Sequence, residues 1–163
     1  MPHTMSAPVS VPNSIGSAPI SSLALKKPVF LPETSTLTEC SETMRSGKET
    51  FLLINNDRES TIGIFTERDM VLCYWSPEID ESTPVMAVMN RKFVTIDESS
   101  STRDAVDLMG ANEISQLPVL DKAGSVKGVL TVEQLLENLS DAFPKELLNL
   151  SSSNQIPAKR VGG

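Results

Sequence analysis

Residues 63–70 read GIFTERDM, and residues 128–135 read GVLTVEQL. In both stretches a glycine and two apolar residues lead into a threonine, Thr66 or Thr131, and a hydrogen-bonding side chain follows three positions later. That side chain is an acid, Asp69, in the first copy and an amide, Gln134, in the second. A threonine between an apolar run and an amphipathic stretch is typical of a strand that passes directly into a capped helix. The two stretches therefore predict the same strand-to-helix junction twice in one chain.

The repetition extends over most of the chain. Each copy contains roughly 50 residues, too few to bury a secure core alone, so we expect the two copies to pack against each other. A shift of 65 residues superposes identical residues throughout: Val29 on Val94, Glu33 on Glu98, Ser35 on Ser100, Met44 on Met109 and Gly63 on Gly128.

Each copy predicts the same five elements in the same order. A β-type run opens the copy, at 29–31 in the first and at 93–96 in the second. Two apolar runs separated by a polar turn follow the first helix, as in a hairpin, and the last helix begins at the repeated threonine. A capping box begins the first helix of each copy, formed by Thr36 with Glu39 and by Ser101 with Asp104.

These elements predict a mixed α/β (α+β) fold with two β-α-β-β-α repeats packed with pseudo-two-fold symmetry. We place the first repeat at 28–75, a linker at 76–92 and the second repeat at 93–140. Residues 1–27 are rich in serine and proline and contain neither acid nor arginine, which favours a disordered tail. Residues 141–163 are predicted to form a short helix and a second tail.

The composition excludes several classes of function. The 163-residue chain has a formal net charge of −7 and a pI near 4.7, so it repels phosphate backbones and we expect no binding to nucleic acid. A run of about 18 apolar residues is missing, so we expect no membrane span. Cys40 and Cys73 lack metal-type spacing, and free thiols favour a reducing compartment such as the cytoplasm.

Catalysis finds little support in the sequence. The single histidine, His3, lies in the predicted tail, and the chain has no Cys/His cluster, no GxxxxGK[ST] phosphate loop and no GxGxxG pattern. The sequence places no pair of carboxylates as an acid and a base. We therefore predict no catalytic residue, no metal site and no catalytic cofactor.

In the order of its elements and in four stretches, the chain resembles the tandem cystathionine β-synthase (CBS) domain pair, or Bateman module. The resemblance covers nearly all of residues 28–140. It implies a regulatory module that binds an adenosine-containing ligand, such as AMP, ADP, ATP or S-adenosylmethionine, in a cleft between its two repeats. The four stretches are GIFTERD (63–69), STPVMAVMNRKFVTIDESSSTRDAVDLM (82–109), ISQLPVLD (114–121) and GVLTVEQ (128–134).

The Thr-x-x-Asp pattern suits such a ligand on physical grounds. Thr66 caps a helix, and the free N–H groups of the first turn can bind an anion such as phosphate. Asp69 lies one turn further on the same side, where its carboxylate can accept hydrogen bonds from two ribose hydroxyls. The alternative is a capping pair only, in which Asp69 stabilises the helix dipole. Gln134 is neutral, so we expect the sibling site to bind weakly or not at all.

The resemblance also implies which residues face Asp69 from the other repeat. The apolar members would sandwich the adenine, although ordinary core is the alternative for them. The implied ligand site consists of Ile64, Thr66, Asp69, Phe93, Val94, Ile114, Ser115 and Pro118. Adenylate-binding members often have His and Arg where this chain has Ser115 and Gln116, and Glu133 stands where a basic residue can meet phosphate. The basic residues that could compensate are Arg68, Arg91, Lys92 and Arg103.

We interpret the chain as a non-catalytic regulatory module that binds an adenosine-containing ligand and signals to a partner protein. The alternative is a ligand-free structural or dimerisation module that acts by docking on other proteins. The stretch from Thr66 to Trp75 has more apolar surface than one packed face needs, so we also expect a homodimer. The residues that carry this surface are Met70, Val71, Tyr74 and Trp75.

Overall fold

The computed structural model describes residues 16–142, with side chains described as far as residue 138. It contains the predicted order of elements twice, so the mixed α+β class and the two-repeat architecture are confirmed. The first repeat contains β1 (Phe30–Pro32), α1 (Leu37–Gly47), β2 (Phe51–Asn55), β3 (Thr61–Thr66) and α2 (Glu67–Tyr74). The second contains β4 (Ile96–Asp97), α3 (Thr102–Asn112), β5 (Gln116–Leu120), β6 (Val126–Thr131) and α4 (Val132–Ala142).

Each repeat builds one three-stranded sheet with the same topology. The strand orders are β1-β2-β3 and β4-β5-β6, with a parallel first pair and an antiparallel second pair. The hairpin register matches between the repeats, since Phe51 pairs with Thr66 and Gln116 pairs with Thr131. Both predicted capping boxes are present and begin α1 and α3.

The two sheets pack through a shared apolar core. In β2, Leu52 and Ile54 face the helices of their own repeat, whereas Phe51 and Leu53 face the other repeat. Because both faces of β2 are buried, it appears in the sequence as the uninterrupted run FLLI. The shared core consists of Phe51, Leu53, Ile64 and Val129, with Phe93 and Val126 packed against it.

The opening segments of the two repeats are exchanged. The N-terminal segment, residues 18–26, places Ile20 in the core of the second repeat, where it is 0% exposed. The linker segment, residues 83–90, places Val85 in the core of the first repeat. Backbone hydrogen bonds fix both, from Ile20 N to Ser100 O at 2.9 Å and from Val85 N to Ser35 O at 2.7 Å. This reciprocal exchange is what a pseudo-two-fold relation between the repeats produces.

The prediction of a disordered tail is therefore wrong for residues 16–27. Residues 16–27 are ordered against the second repeat, where Ile20 belongs to the buried core and Leu23 and Leu25 pack against it. Likewise residues 83–90 of the predicted linker complete the first repeat. The remainder of the predicted tails, residues 1–15 and 143–163, lies outside the described residues.

The opening strand of the second repeat is shorter than predicted. Only Ile96–Asp97 pairs with β5, not the run from 93 to 96. In the first repeat, the Leu53 N–H donates to Val29 O at 2.9 Å and holds the strand start. The equivalent of Leu53 is Pro118, which has no N–H, so Val94 has no such donor and stays outside the sheet.

Candidate functional site

A cleft of about 660 Å³ lies between the two repeats, beside the start of α2. We name it the first cleft. All eight residues of the predicted ligand site line it: Ile64, Thr66, Asp69, Phe93, Val94, Ile114, Ser115 and Pro118. The structure thus brings together residues from 64 to 118 that are far apart in the chain.

The Thr66–Asp69 junction occupies one end of this cleft. Asp69 Oδ2 accepts hydrogen bonds from Thr66 N at 2.8 Å and from Thr66 Oγ1 at 2.9 Å, and Asp69 N donates to Thr66 Oγ1 at 3.3 Å. This is a complete capping box, so the capping alternative is satisfied geometrically. All of the carboxylate's bonds within the described residues use Oδ2. Asp69 Oδ1 therefore keeps its acceptor capacity on a half-buried side chain that lines the cleft.

The walls of the first cleft are apolar and come from both repeats. Ile64 is 7% exposed on β3, and Pro118 is fully buried on β5. Phe93 and Val94 are half-buried because they precede β4 instead of pairing in it, and Ile114 is half-buried just before β5. Such a gap can accept a flat apolar ring with its polar edge towards the rim.

The rim of the cleft carries charges of both signs. Arg68 and Lys92 are exposed and line it, together with the acids Glu67 and Glu113. Two other predicted compensating residues are used elsewhere. Arg91 donates from Nη2 to Met86 O at 3.0 Å, and Arg103 packs beside Gly16 on the N-terminal segment. Glu133, the other charge singled out in the sequence, does not line the cleft.

Several lining residues were missed by the sequence prediction. Thr50 belongs to the cleft because its carbonyl accepts a hydrogen bond from Glu67 N at 3.0 Å at the start of α2. Asn90 lines it because the linker segment runs beside β3, where Ile64 N and Asn90 O are 3.0 Å apart. A signal existed in the sequence, since SAPI at 17–20 precedes STPV at 82–85 by the same 65 residues and marks the start of both opening segments.

The second junction copies the capping geometry with an amide. Gln134 Oε1 accepts from Thr131 N at 3.2 Å and from Thr131 Oγ1, and Gln134 N donates to Thr131 Oγ1 at 3.3 Å. The Oε1 atom thus replaces the Oδ2 atom of Asp69. What remains free at this position is an NH₂ donor, where the first junction presents a carboxylate acceptor.

A metal site and a membrane-spanning helix each have structural requirements that the described residues can be compared with. Between residues 16 and 142, no group of three or more His, Cys, Asp or Glu residues is arranged to hold a metal ion. None of the helices in the same range has the length and apolar character that a membrane-spanning segment requires. Cys40 and Cys73 are both buried and free.

Curated relatives share sequence with most of the folded part. An uncharacterized protein of Methanopyrus kandleri is 30% identical over 105 residues, which cover 64% of this chain and 54% of that protein. An uncharacterized 17.7 kDa protein of Acidianus ambivalens is 26% identical over 122 residues, 75% of this chain and 73% of its own. The inosine-5′-monophosphate dehydrogenase of Aquifex aeolicus is 28% identical over 111 residues, which are 22% of that enzyme. This chain thus spans about half of the first protein and about a fifth of the enzyme.

Solved structures share the fold. A CBS domain protein of Pyrobaculum aerophilum, complexed with AMP, superposes with a TM-score of 0.66 at 23% identity, over 83% of this chain and 100% of its own. The CBS domain pair of protein MJ0100, complexed with 5′-methylthioadenosine and S-adenosyl-L-methionine, gives a TM-score of 0.68 at 18% identity, over 78% and 99%. The sequence profile of the CBS domain matches residues 20–75 and 85–141, in register with both exchanged segments. The chain therefore belongs to the CBS domain family, of which it carries two consecutive copies.

Proposed function

We propose that the first cleft binds the adenosine part of a regulatory ligand, either an adenine nucleotide or S-adenosylmethionine, and that the bound state is signalled to a partner protein. One observation carries this proposal. Residues of both repeats converge on a single cleft that combines apolar walls with a carboxylate having a free acceptor oxygen. A ligand in this position touches both repeats at once and stabilises their packing, which is a change that a partner can detect.

The roles of the residues follow from their chemistry. Ile64, Val94 and Ile114 enclose the adenine, and Asp69 Oδ1 accepts a hydrogen bond from a ribose hydroxyl. The charge-assisted bonds at Asp69 contribute about 1.5 to 3 kcal/mol each. Arg68 and Lys92 are the cations available for a phosphate, but Glu67 and Glu113 share the rim with them. This mixed rim favours a ligand with few phosphates over a triphosphate.

Two relatives of the same fold support the ligand class. The Pyrobaculum protein is complexed with AMP, and the MJ0100 domain pair with 5′-methylthioadenosine and S-adenosyl-L-methionine. We infer the same class of ligand here and propose no catalytic step, because the Thr66 hydroxyl and the Asp69 carboxylate are engaged with each other in the capping box of α2. Free buried thiols at Cys40 and Cys73 are consistent with a cytoplasmic location.

Thermal melting and calorimetry test the proposal. A ligand at 100 times its Kd should stabilise the fold by about 2.7 kcal/mol, and the melting temperature should rise accordingly. AMP, ADP, ATP and S-adenosylmethionine are each titrated at matched ionic strength. An unchanged melting temperature with all four ligands would refute the proposal.

A specific observation also favours a docking function. The C-terminal half of α2 and the residue after it expose the only tyrosine and the only tryptophan of the chain, with Tyr74 89% and Trp75 79% exposed. Val71 and Leu72 are exposed beside them, so an apolar patch faces solvent. We propose that this patch forms a homodimer interface between two copies of the chain. Light scattering at micromolar concentration tests the dimer: the wild type should exceed the 17.7 kDa of one chain, and Tyr74→Ser with Trp75→Ser should give a monomer.

A further inference from the structure

We propose that the second cleft, beside Thr131 and Gln134, is held closed by the chain's own Lys26–Glu49 ion pair, so that each chain has one open ligand site. The inference rests on the proposed function of the first cleft. It adds that Lys26 of the N-terminal segment and Glu49 of the first repeat occupy the space which a ligand would need at the second cleft. The ion pair thus holds the N-terminal segment across the second cleft, whereas the linker segment borders the open first cleft.

Three positions of the second cleft can be matched to positions that line the first. Lys26 pairs with Val129 as Asn90 pairs with Ile64, each in a backbone bridge beside the last strand of a sheet. Both Glu49 and Ile114 follow a left-handed residue, and each donates its N–H to a methionine carbonyl at the end of the preceding helix. Finally, Phe51 and Gln116 each pair with the capping threonine.

At these three positions the side chains of Lys26, Glu49 and Phe51 pack against one another and fill the second cleft. Lys26 Nζ lies 2.7 Å from Glu49 Oε2 and 5.6 Å from the centroid of the Phe51 ring. The side chains of Lys26 and Glu49 are only 28% and 13% exposed, and Phe51 is 1% exposed. In the first cleft the matching residues, Asn90, Ile114 and Gln116, line open space instead.

The threonines at the two junctions show the same difference in exposure. Thr131 is 7% exposed, whereas Thr66 is half-buried and borders the open cleft. Gln134 alone would remove a carboxylate but would leave an empty space. The closure therefore has a second cause beyond the missing acid, namely the ion pair packed on Phe51.

The ion pair depends on both of its partners. Glu49 Oε2 is buried and has no hydrogen-bond donor directed at it within the described residues, so the Lys26 ammonium is the charge that compensates it. A buried carboxylate without its cation is strongly disfavoured. Loss of the pair should therefore release the N-terminal segment at Lys26, whose N–H donates to Val129 O at 2.9 Å.

Removal of the ion pair together with restoration of the acid at position 134 tests the proposal. The variant Lys26→Asn/Glu49→Ile/Gln134→Asp removes the ion pair, introduces the acid of the first cleft and keeps Phe51, which belongs to the shared core. Calorimetry with AMP and with S-adenosylmethionine should give a stoichiometry of about one for the wild type and about two for the variant. In an Asp69→Ala background the variant should keep about one site, now the second. A wild type with two equivalent sites, or a folded triple variant that still binds one ligand, would overturn the closure.

A second measurement does not depend on any ligand. Glu49→Gln should accelerate hydrogen exchange at the Lys26 amide by about tenfold, because the fastening charge is lost. The matched control is Glu98→Gln, which removes the 2.7 Å Lys127–Glu98 pair on the second repeat and should leave that amide unchanged. If the wild type binds neither ligand, the proposed function fails. The exchange measurement still shows whether the Lys26–Glu49 pair holds the N-terminal segment in place. Equal exchange in both variants would refute the fastening role of Lys26 and Glu49.

Discussion

Ile20 lies in the core of the second repeat and Val85, 65 residues later, lies in the core of the first, so each repeat completes the other. The exchange makes the two repeats one cooperative unit, because neither core is closed without a segment of its neighbour. It also fixes the space between the sheets, since the exchanged segments continue beside β3 and β6.

This relationship predicts that the N-terminal segment contributes to the stability of the whole fold. Ile20→Ala should destabilise by about 2 to 4 kcal/mol, since a fully buried side chain is replaced by a cavity. Val85→Ala should lower the free energy of unfolding by about 1 to 3 kcal/mol, less than Ile20→Ala because valine leaves a smaller cavity. Urea denaturation measures both, with the exposed Ser21→Ala as control. An Ile20→Ala variant as stable as Ser21→Ala would contradict the exchange.

The glycines of the repeated motif predict a second, asymmetric effect. A Cβ at Gly63 would lie 2.4 Å from Met89 Sδ, and a Cβ at Gly128 would lie 2.7 Å from Leu25 Cβ. The flexible Met89 side chain can move away, whereas Leu25 Cβ is fixed to the backbone of the N-terminal segment. We therefore expect Gly128→Ala to cost about 1 to 3 kcal/mol and Gly63→Ala to cost less.

Thermal denaturation of the two glycine variants provides the comparison. Gly110→Ala is the control, because a Cβ there meets nothing within 4 Å and alanine favours the helix. If Gly63→Ala proved the more damaging of the pair, the close contact of the N-terminal segment with β6 would be wrong.

The sequence predicted the repeats well because periodicity and capping are local signals. The hairpins, the capping boxes and the Thr66–Asp69 junction follow from residues only a few positions apart. The N-terminal segment was mispredicted because its partner residues, such as Ser100 and Val129, lie in the other repeat. Its composition favours a tail, although its apolar residues Ile20, Leu23 and Leu25 all pack on the core of the second repeat.

The candidate site shows the same limit. Its eight predicted residues lie along one cleft, but their convergence came from a family resemblance and not from spacing in this chain. For the second cleft, the sequence predicts weak binding from Gln134 but does not predict the ion pair. Gln134 could be read from the sequence, whereas the Lys26–Glu49 contact joins two segments whose proximity depends on the exchange.

The buried thiol of α1 predicts a dependence of stability on alkaline pH. Burial, and secondarily the charge of Glu39 and the proximity of Cys73, raise the pKa of Cys40 from 9.0 to about 11. Between these values the unfolded thiol ionises while the native thiol stays protonated, so the native state binds more protons. The free energy of unfolding should therefore fall as the pH rises from about 9 to about 11.

A Cys40→Ala variant isolates this contribution from that of the rest of the chain. The variant should be less stable at pH 8, and its deficit relative to the wild type should shrink as the pH approaches 11. Urea denaturation at several pH values measures the difference. A constant deficit would mean that Cys40 ionises equally in both states.

The last prediction concerns the acid of GIFTERD, and the chain supplies its own control. Gln134 shows that a glutamine can form the complete capping box at this junction, so Asp69→Gln should keep the α2 cap and unfold within about 1 kcal/mol of the wild type. The same change replaces the free acceptor Oδ1 with an amide donor. If the carboxylate binds ribose, affinity for AMP and S-adenosylmethionine should fall by roughly 10- to 150-fold, the equivalent of about 1.5 to 3 kcal/mol.

Calorimetry gives the affinity and urea denaturation the stability, with Gln134→Ala as a matched variant that should leave binding at the first cleft unchanged. Asp69→Gln with normal affinity would leave Asp69 as a capping residue only, and the ligand role of this junction would be wrong.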